Sequence, residues 1–245
     1  MELLHDMGTW LRESALEALS PTRCASCERP GSLLCDRCRS QMMRIDPLLA
    51  CTRCGAPYGN LLCTECHGEE SVLDRCLATA VFDGIPARII RAYKDAGEQR
   101  LADVIAELLL NTACEAQRTA AERYAGFLSM ADAVTFVPAT AAAFQRRGFD
   151  HMEYVARAFS AQAGIPLLDA LAKHGKSDQR MLGRTGRQEQ SRDAYEVVAP
   201  VAGLHLLLLD DVITTGATIR AAAKALKAAG ASHVDALSLA RVWEP

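Results

Sequence analysis

The chain lacks the features that mark membrane proteins, secreted proteins and the common nucleotide-binding enzymes. It has no run of eighteen apolar residues, so no helix is expected to span a bilayer. The segment Met1–Leu19 carries four acidic residues and no basic start, which is unlike a secretion signal. Neither a G-x-x-x-x-G-K-S/T loop nor a G-x-G-x-x-G turn follows an apolar run, which argues against a P-loop nucleotidase or a dinucleotide enzyme. We therefore expect a cytoplasmic protein without membrane insertion.

Net charge is also small. The 245 residues carry a formal charge of −3 at pH 7, which argues against a general coating of nucleic acid and leaves room for a local basic patch. Hydrophobic residues make up 50% of the chain, enough for a packed core. The length fits one medium domain and one small one.

The most informative run is residues 206–219, where four leucines lead into two carboxylates and a loop rich in threonine. An apolar run without alternation predicts a strand buried on both faces, as in a parallel sheet. Open α/β sheets bind ligands at the carboxyl ends of such strands. Hydroxyls and backbone N–H groups at a helix start suit a phosphate dianion. The two carboxylates, Asp210 and Asp211, suit ribose hydroxyls or Mg²⁺. A plain capped helix after a buried strand remains the alternative.

The run resembles the phosphoribosyl pyrophosphate (PRPP) signature of type I phosphoribosyltransferases, in which apolar residues, two acids and a T-T/S-G-x-T loop follow one another. The resemblance implies that Asp210 and Asp211 are the catalytic pair that holds the ribose hydroxyls. It also implies that the 5′-phosphate binds the loop residues Thr214, Thr215, Gly216, Ala217 and Thr218.

Eight of the ten cysteines form four C-x-x-C pairs near the N-terminus: Cys24/Cys27, Cys35/Cys38, Cys51/Cys54 and Cys63/Cys66. Two C-x-x-C turns complete one tetrahedral thiolate site, so four pairs predict two structural zinc ions. The simplest pairing is sequential, and the spacing also allows a crossed one. Iron is the alternative metal. Little apolar periodicity accompanies these cysteines, so the metal is expected to supply the folding energy.

Composition changes after the cysteines, and we divide the chain into an N-terminal amphipathic helix with a double zinc ribbon at residues 1–76 and a larger, phosphoribosyltransferase-like domain at residues 77–245. In the larger domain, predicted strands alternate with predicted helices, which indicates a parallel sheet with helices on both faces. Lys173–Arg192 is rich in basic and small residues and is predicted to be a mobile loop. Arg88, Arg91 and Lys94 lie three apart on one side of a helix, a pattern typical of a solvated face.

The whole chain resembles the ComF proteins, which join a cysteine-rich zinc module to a phosphoribosyltransferase domain and often act in DNA uptake during competence. The residues that carry the resemblance are the C-x-x-C pairs, Arg91–Lys94, Val137-Pro138, Arg146–Phe149, Gln179-Arg180, Gly183-Arg184, Arg187 and Leu206–Thr218. Two stretches depart from the family pattern. Asp150-His151 stands where Asn-Gln is common, and Ala139–Ala142 stands where a second proline and basic residues are common.

The resemblance implies PRPP binding with Mg²⁺ and, if the protein is an active transferase, displacement of pyrophosphate at the anomeric carbon. Basic side chains that would neutralise the pyrophosphate are Arg146, Arg147, Arg180, Arg184 and Arg187. No residue identifies a general base or an acceptor. Two function classes therefore stay open: a phosphoribosyltransferase, and a non-catalytic protein that binds single-stranded DNA or a helicase-type competence partner through its zinc ribbons.

Overall fold

The computed structural model describes residues 21–68, 70–173 and 194–243 of the chain. Two compact units are present, Met1–Met42 and Met43–Pro245. The smaller unit contains the first four paired cysteines and one helix, α1 (Asp36–Gln41). A short bridge between Arg23 and Pro30 closes the turn that carries its first C-x-x-C pair.

The larger unit is built on a four-stranded parallel sheet with the order β1-β6-β5-β2. In chain order its elements are β1 (Arg75–Val81), α2 (Gly84–Lys94), α3 (Leu101–Thr119), α4 (Ala121–Tyr124), β2 (Ala133–Phe136), α5 (Ala141–Arg147), α6 (His151–Ala163), β3 (Leu171–Lys173), β4 (Tyr195–Val197), β5 (His205–Ile213), α7 (Ala217–Ala228) and β6 (His233–Arg241). Strands β3 and β4 pair separately as an antiparallel hairpin.

Helices cover both faces of this sheet, which explains the unbroken apolar run of its central strand. Leu206 and Leu208 of β5 pack in one cluster with Ile219 of α7. Alternate residues of a strand point to opposite faces, so Leu207 and Leu209, which are also fully buried, face the other layer. Helices α3 and α6 pack together in that layer, with α3 against β1 and β6 and α6 against β2 and β5.

The predicted fold class is confirmed: a parallel sheet with flanking helices follows two cysteine clusters. One boundary differs in a way that matters, because β5 does not end at the leucines and continues through both acids to Ile213. Asp210 and Asp211 are therefore held by the sheet, with Asp210 opposite Ser238 of β6. The predicted N-terminal helix, and the predicted mobile loop beyond Lys173, lie outside the described residues.

The second cysteine group, Cys51, Cys54, Cys63 and Cys66, is part of the larger unit. Its first turn lies against β1, because the Cys76 N–H donates to the carbonyl of Thr52 at 2.7 Å. Gly59 is packed so closely on this turn that a Cβ atom there would lie 2.5 Å from the Cβ of Cys51. The compact units thus divide between Met42 and Met43, whereas the change in composition used to divide the sequence falls after residue 76.

Within the described ranges, no helix combines the length needed to span a bilayer with sufficient apolar character.

Candidate functional site

A cleft of about 220 Å³ opens at the carboxyl edge of β5 and β2. The predicted acids lie in this cleft together with residues from α2, α5, α6 and the hairpin. Its lining consists of Lys94, Val137, Pro138, Ala139, Thr140, Ala143, Arg147, His151, Lys173, Asp210, Asp211, Val212 and Thr218. Carboxyl ends of parallel strands meet at one edge of a sheet, which is why chain segments distant in sequence converge here.

Asp211 is the centre of the polar contacts in the cleft. Its Oδ2 accepts a hydrogen bond from His151 Nε2 at 2.8 Å and also contacts Lys94 Nζ. Lys94 is the last residue of α2, and His151 is the first residue of α6. One carboxylate oxygen therefore joins the end of one helix and the start of another to the central strand.

The His151 ring is held as one neutral tautomer. Its Nδ1 lies 3.3 Å from Arg147 Nη1, and a guanidinium only donates, so Nδ1 accepts and the proton sits on Nε2, facing Asp211. Burial and the positive charges of Lys94 and Arg147 lower the pKa of His151, which agrees with a neutral ring.

Asp210 is buried like its neighbour, but among the described residues no cation lies within ion-pair distance of its carboxylate. It is 6% exposed, and its Oδ1 accepts the N–H of Asp211 at 2.9 Å. Burial raises its pKa to about 7, against the opposing charges of Lys94 and Lys173. Burial likewise lowers the pKa of Lys94 to about 8. The cleft thus contains groups that change charge near neutral pH.

The threonine loop, residues 214–218, leads from β5 into α7. Gly216 begins the helix with a φ of 75°, a left-handed conformation that favours glycine. The Ala217 N–H donates to Thr215 Oγ1 at 3.3 Å. The Arg220 side chain donates to the Thr215 carbonyl at 2.9 Å, which ties the loop to α7. Thr214, Thr215 and Thr218 are exposed, and the N–H groups of a first helical turn have no intrahelical acceptors.

Asp150 connects the two segments that border the cleft opposite the threonine loop. Its Oδ1 caps α6 by accepting the N–H groups of Met152 at 2.9 Å and Glu153 at 3.3 Å. Its Oδ2 accepts the N–H of Ala139 at 2.6 Å, in the loop that follows β2. The departure from the family pattern at Asp150 therefore contacts the departure at Ala139.

The predicted basic residues divide into three sets. Arg147 lines the cleft, whereas the exposed Arg146 lines a neighbouring cavity of about 340 Å³ that Lys94 and Arg147 also border. Arg180, Arg184 and Arg187 lie outside the described residues, so their positions stay predictions.

Sequence reasoning missed three residues of the cleft as site residues: Lys94, His151 and Lys173. Lys94 was grouped with Arg88 and Arg91 on a solvated face. Both arginines are exposed, while Lys94 is partly buried against Asp211. The sequence signal that could have identified Lys94 as a site residue was its place in Arg91–Lys94, one of the segments that resemble the ComF proteins. For His151 the signal was its departure from that pattern.

The cysteines form two clusters with sequential pairing, Cys24, Cys27, Cys35, Cys38 and Cys51, Cys54, Cys63, Cys66. Within each cluster the four Sγ atoms lie within 4.8 Å of one another. A tetrahedral site with Zn–S bonds of about 2.3 Å has S–S edges of about 3.8 Å. The Sγ distances of 3.7 Å for Cys27–Cys35 and 3.6 Å for Cys54–Cys63 match this edge. Both groups could hold a zinc ion.

Curated relatives match nearly the whole chain. The DNA utilization protein YhgH of Escherichia coli K12 is 27% identical over 229 residues, covering 90% of this chain and 97% of its own. Competence protein F of Haemophilus influenzae is 25% identical over 232 residues, covering 89% and 96%. The predicted resemblance to competence proteins is confirmed. No protein-family model matches the chain.

Solved structures that match the chain include enzymes named for PRPP. The glutamine PRPP amidotransferase of B. subtilis, complexed with ADP and GMP, aligns over 57% of this chain and 25% of its own, at 22% identity and a TM-score of 0.36. The hypoxanthine phosphoribosyltransferase of Trypanosoma cruzi aligns over 58% of this chain and 68% of its own, at 13% identity and a TM-score of 0.32. The chain thus spans about a quarter of the first structure.

We predict two zinc ions per chain and unequal consequences of losing them. Cys35→Ser and Cys63→Ser should each remove one zinc, measured by elemental analysis. Only Cys63→Ser should destabilise the larger unit, because only the second cysteine group belongs to it. Thermal unfolding followed by Trp243, which packs on that group, measures the difference. Equal losses of stability would contradict the division of the two groups between the units.

We predict that Asp210 makes stability depend on pH. Its pKa is raised above the ordinary 3.8, so its contribution to folding is complete below about pH 4 and is lost as the pH rises to about 7. The free energy of unfolding of Asp210→Asn should therefore rise relative to the unmodified protein between pH 5 and pH 8. Urea denaturation measures this, with Asp132→Asn at the opposite end of the strands as control. A difference in the free energy of unfolding that stays constant between pH 5 and pH 8 would contradict a raised pKa at Asp210.

Proposed function

We propose that the larger unit binds PRPP at the carboxyl edge of β5, as part of a competence-related protein with a phosphoribosyltransferase-type domain. The observation that carries the proposal is that one cleft is lined by two buried carboxylates, Asp210 and Asp211, and by Thr218 of a threonine-rich helix start. A capped helix alone would need only one of these polar groups. The relatives named for competence and DNA utilization support the biological context. The sequence-based division at residues 76 and 77, and a cytoplasmic location, are parts of the same proposal.

The phosphate would bind the threonine loop, and the ribose would bind the acids. Thr214–Thr218 offers exposed hydroxyls and the N–H groups of the first turn of α7, which together suit a dianion. Gly216 has no side chain, so its backbone can approach the phosphate closely. Asp210 and Asp211 each keep one carboxylate oxygen outside the internal contacts described above, and these oxygens can accept hydrogen bonds from ribose hydroxyls.

Pyrophosphate would occupy the other side of the cleft. Arg147 and Lys173 supply positive charge there, and Arg180, Arg184 and Arg187 are proposed to add to it. The carboxylate oxygens of Asp210 and Asp211 are hard donors that fit Mg²⁺. Bound with PRPP, the ion would neutralise charge that develops on the leaving group. Pyrophosphate release from PRPP, assayed across a panel of nitrogenous bases, tests whether transfer takes place.

Ligand binding would compete with contacts that already exist. Lys94 and His151 share Asp211 Oδ2, so a ribose hydroxyl that approached this oxygen would displace one of them. Lys94 is the better candidate to move, because its flexible side chain can turn toward the pyrophosphate. The ring of His151 is held at Nδ1 by Arg147, and its backbone carbonyl accepts a hydrogen bond from the Tyr93 hydroxyl at 2.6 Å.

We predict that replacing both Asp210 and Asp211 with Asn weakens PRPP binding about tenfold or more. Each charged hydrogen bond that is lost costs about 1.5–3 kcal/mol, while size and shape are retained. Calorimetry with PRPP and Mg²⁺ measures the affinity, and a thermal melt checks that the fold survives. Asp132→Asn, which is far from the cleft and accepts the His205 N–H at 2.8 Å, is the matched control. Unchanged PRPP affinity in the double variant would indicate that the motif is only a capped helix after a buried strand and not a ligand site.

A second candidate function is binding of single-stranded DNA, alone or with a helicase-type competence partner. The relative named for DNA utilization favours it, as does the pair of exposed arginines on α2, Arg88 and Arg91. Tyr58 in the second cysteine group is 74% exposed, and an exposed aromatic ring can stack on an unpaired base.

For this function we predict salt-sensitive binding with little sequence preference. Arg88→Gln together with Arg91→Gln should weaken binding of a fluorescent oligonucleotide and flatten the dependence of affinity on salt, because fewer counterions are released. Arg118→Gln, at an exposed position on α3, is the control. Affinity that stays constant between low and physiological salt, or identical behaviour of both variants, would argue against this surface.

A further inference from the structure

Arg241 occupies an unusual position at the end of β6. The residue is 4% exposed, so its charge is buried. Among the described residues, the carboxylate within salt-bridge distance is that of Glu65, at 3.6 Å and on a side chain that is 69% exposed. Because the Glu65 carboxylate is mostly in solvent, this pair contributes little. The guanidinium must therefore be stabilised mainly by neutral acceptors.

Those acceptors are backbone carbonyls from three separate segments. Arg241 Nε donates to the carbonyl of Cys54 at 3.2 Å, in the second cysteine group. Its Nη1 lies 3.4 Å from the carbonyl of Ile213 and also contacts the carbonyls of Thr214 and Val242. One planar, rigid cation thus joins a metal-site turn to the first residue of the threonine loop.

The same region contains a second cavity of about 220 Å³, on the side of the threonine loop that faces the second cysteine group. Arg241, Cys54 and Cys66 line it together with Thr215 and Arg220. The loop is therefore held from this side by two guanidinium groups, because Arg220 donates to the Thr215 carbonyl. Of the two, only Arg241 also bonds to the cysteine group.

Charge strengthens this connection when the group holds a metal. Four thiolates around a divalent zinc carry a net negative charge, which stabilises a buried cation nearby. Arg53 donates to the carbonyl of Cys66 at 3.0 Å, so it is a second guanidinium at the same group. When the metal is lost, the thiolates take up protons, so this negative charge disappears. The Cys51–Cys54 turn is then released, and Arg241 would lose an acceptor at a fixed position.

We propose that Arg241 is a positioning residue that makes the geometry of the threonine loop depend on metal occupancy of the second cysteine group. The consequence for PRPP affinity rests on the function proposed above, while the consequence for the loop itself does not. Two sites joined in this way influence each other equally. Zinc at the second group should order the loop, and a ligand on the loop should retain zinc.

Hydrogen exchange of the full-length protein tests whether zinc at the second cysteine group orders the threonine loop. Cys63→Ser removes a thiolate without altering the residue whose carbonyl Arg241 contacts. It should accelerate exchange of the amides of residues 214–219 about tenfold or more, which matches the loss of one charged hydrogen bond. Cys35→Ser in the first group should leave these amides unchanged, and peptides from β2 report whether the sheet stays folded. Loss of one zinc in Cys63→Ser with unaltered loop exchange would overturn the proposal.

A double-mutant cycle then assigns the effect to Arg241. Arg241→Lys retains the charge, but an ammonium group cannot span the same carbonyls. It should accelerate loop exchange while both zinc ions remain bound, and adding Cys63→Ser should have little further effect. Arg44→Lys, whose guanidinium donates to Thr112 and Glu115 of α3, is the matched control and should leave the loop unchanged. Simple addition of the two effects would show that the loop and the metal respond independently.

Whether a ligand on the loop helps to retain zinc can be tested with the unmodified protein, so no variant has to fold. Transfer of zinc to a chromophoric chelator should be slowed for one of the two zinc ions, about threefold or more, when saturating PRPP and Mg²⁺ are present. If calorimetry detects PRPP binding and neither zinc responds, the proposal fails. If PRPP does not bind, the proposed function fails, and the exchange comparison still decides the role of Arg241.

Discussion

The buried carboxylate of Asp211 constrains the positions of three elements of the larger unit. A carboxylate at this depth needs cationic or hydrogen-bonded partners, and those partners come from the end of α2 and the start of α6. Lys94 and His151 can both reach Asp211 because Tyr93 ties the two helices together through the His151 carbonyl. The cleft is thus the place where the packing of these helices and the electrostatics of the central strand are satisfied together.

Features that depend on neighbours in sequence could be predicted, and features that depend on distant pairs could not. Leu206–Leu209 identified a strand buried on both faces, and the spacing of the cysteines identified two groups that could hold a metal. The contact between Lys94 and Asp211 joins residues from different elements, and the helical pattern around Lys94 indicated only an amphipathic face. The attachment of the second cysteine group to β1 could not be predicted either, because the bonds that attach its turn are backbone bonds that leave no trace in composition.

Attachment of the second cysteine group to the sheet changes how such a module should be understood. A zinc ribbon is usually regarded as a separate contact surface whose metal serves only its own fold. Here Trp243, which follows the last strand, packs on the thiolate cluster, and Gly59 fits against Cys51 without room for a side chain. The second cysteine group therefore packs directly against the edge of the sheet, and a change in either alters the surroundings of the other.

The hydrogen bond from the Ala139 N–H to Asp150 determines how substitutions at these two positions combine. A proline at position 139 has no N–H to donate, and Asp150 would then keep a buried oxygen without its donor. An asparagine at position 150 can accept with one side-chain atom only, since the other is an NH₂ group. The two departures from the ComF pattern are therefore linked by one hydrogen bond, and replacing either residue alone should be less tolerated than replacing both.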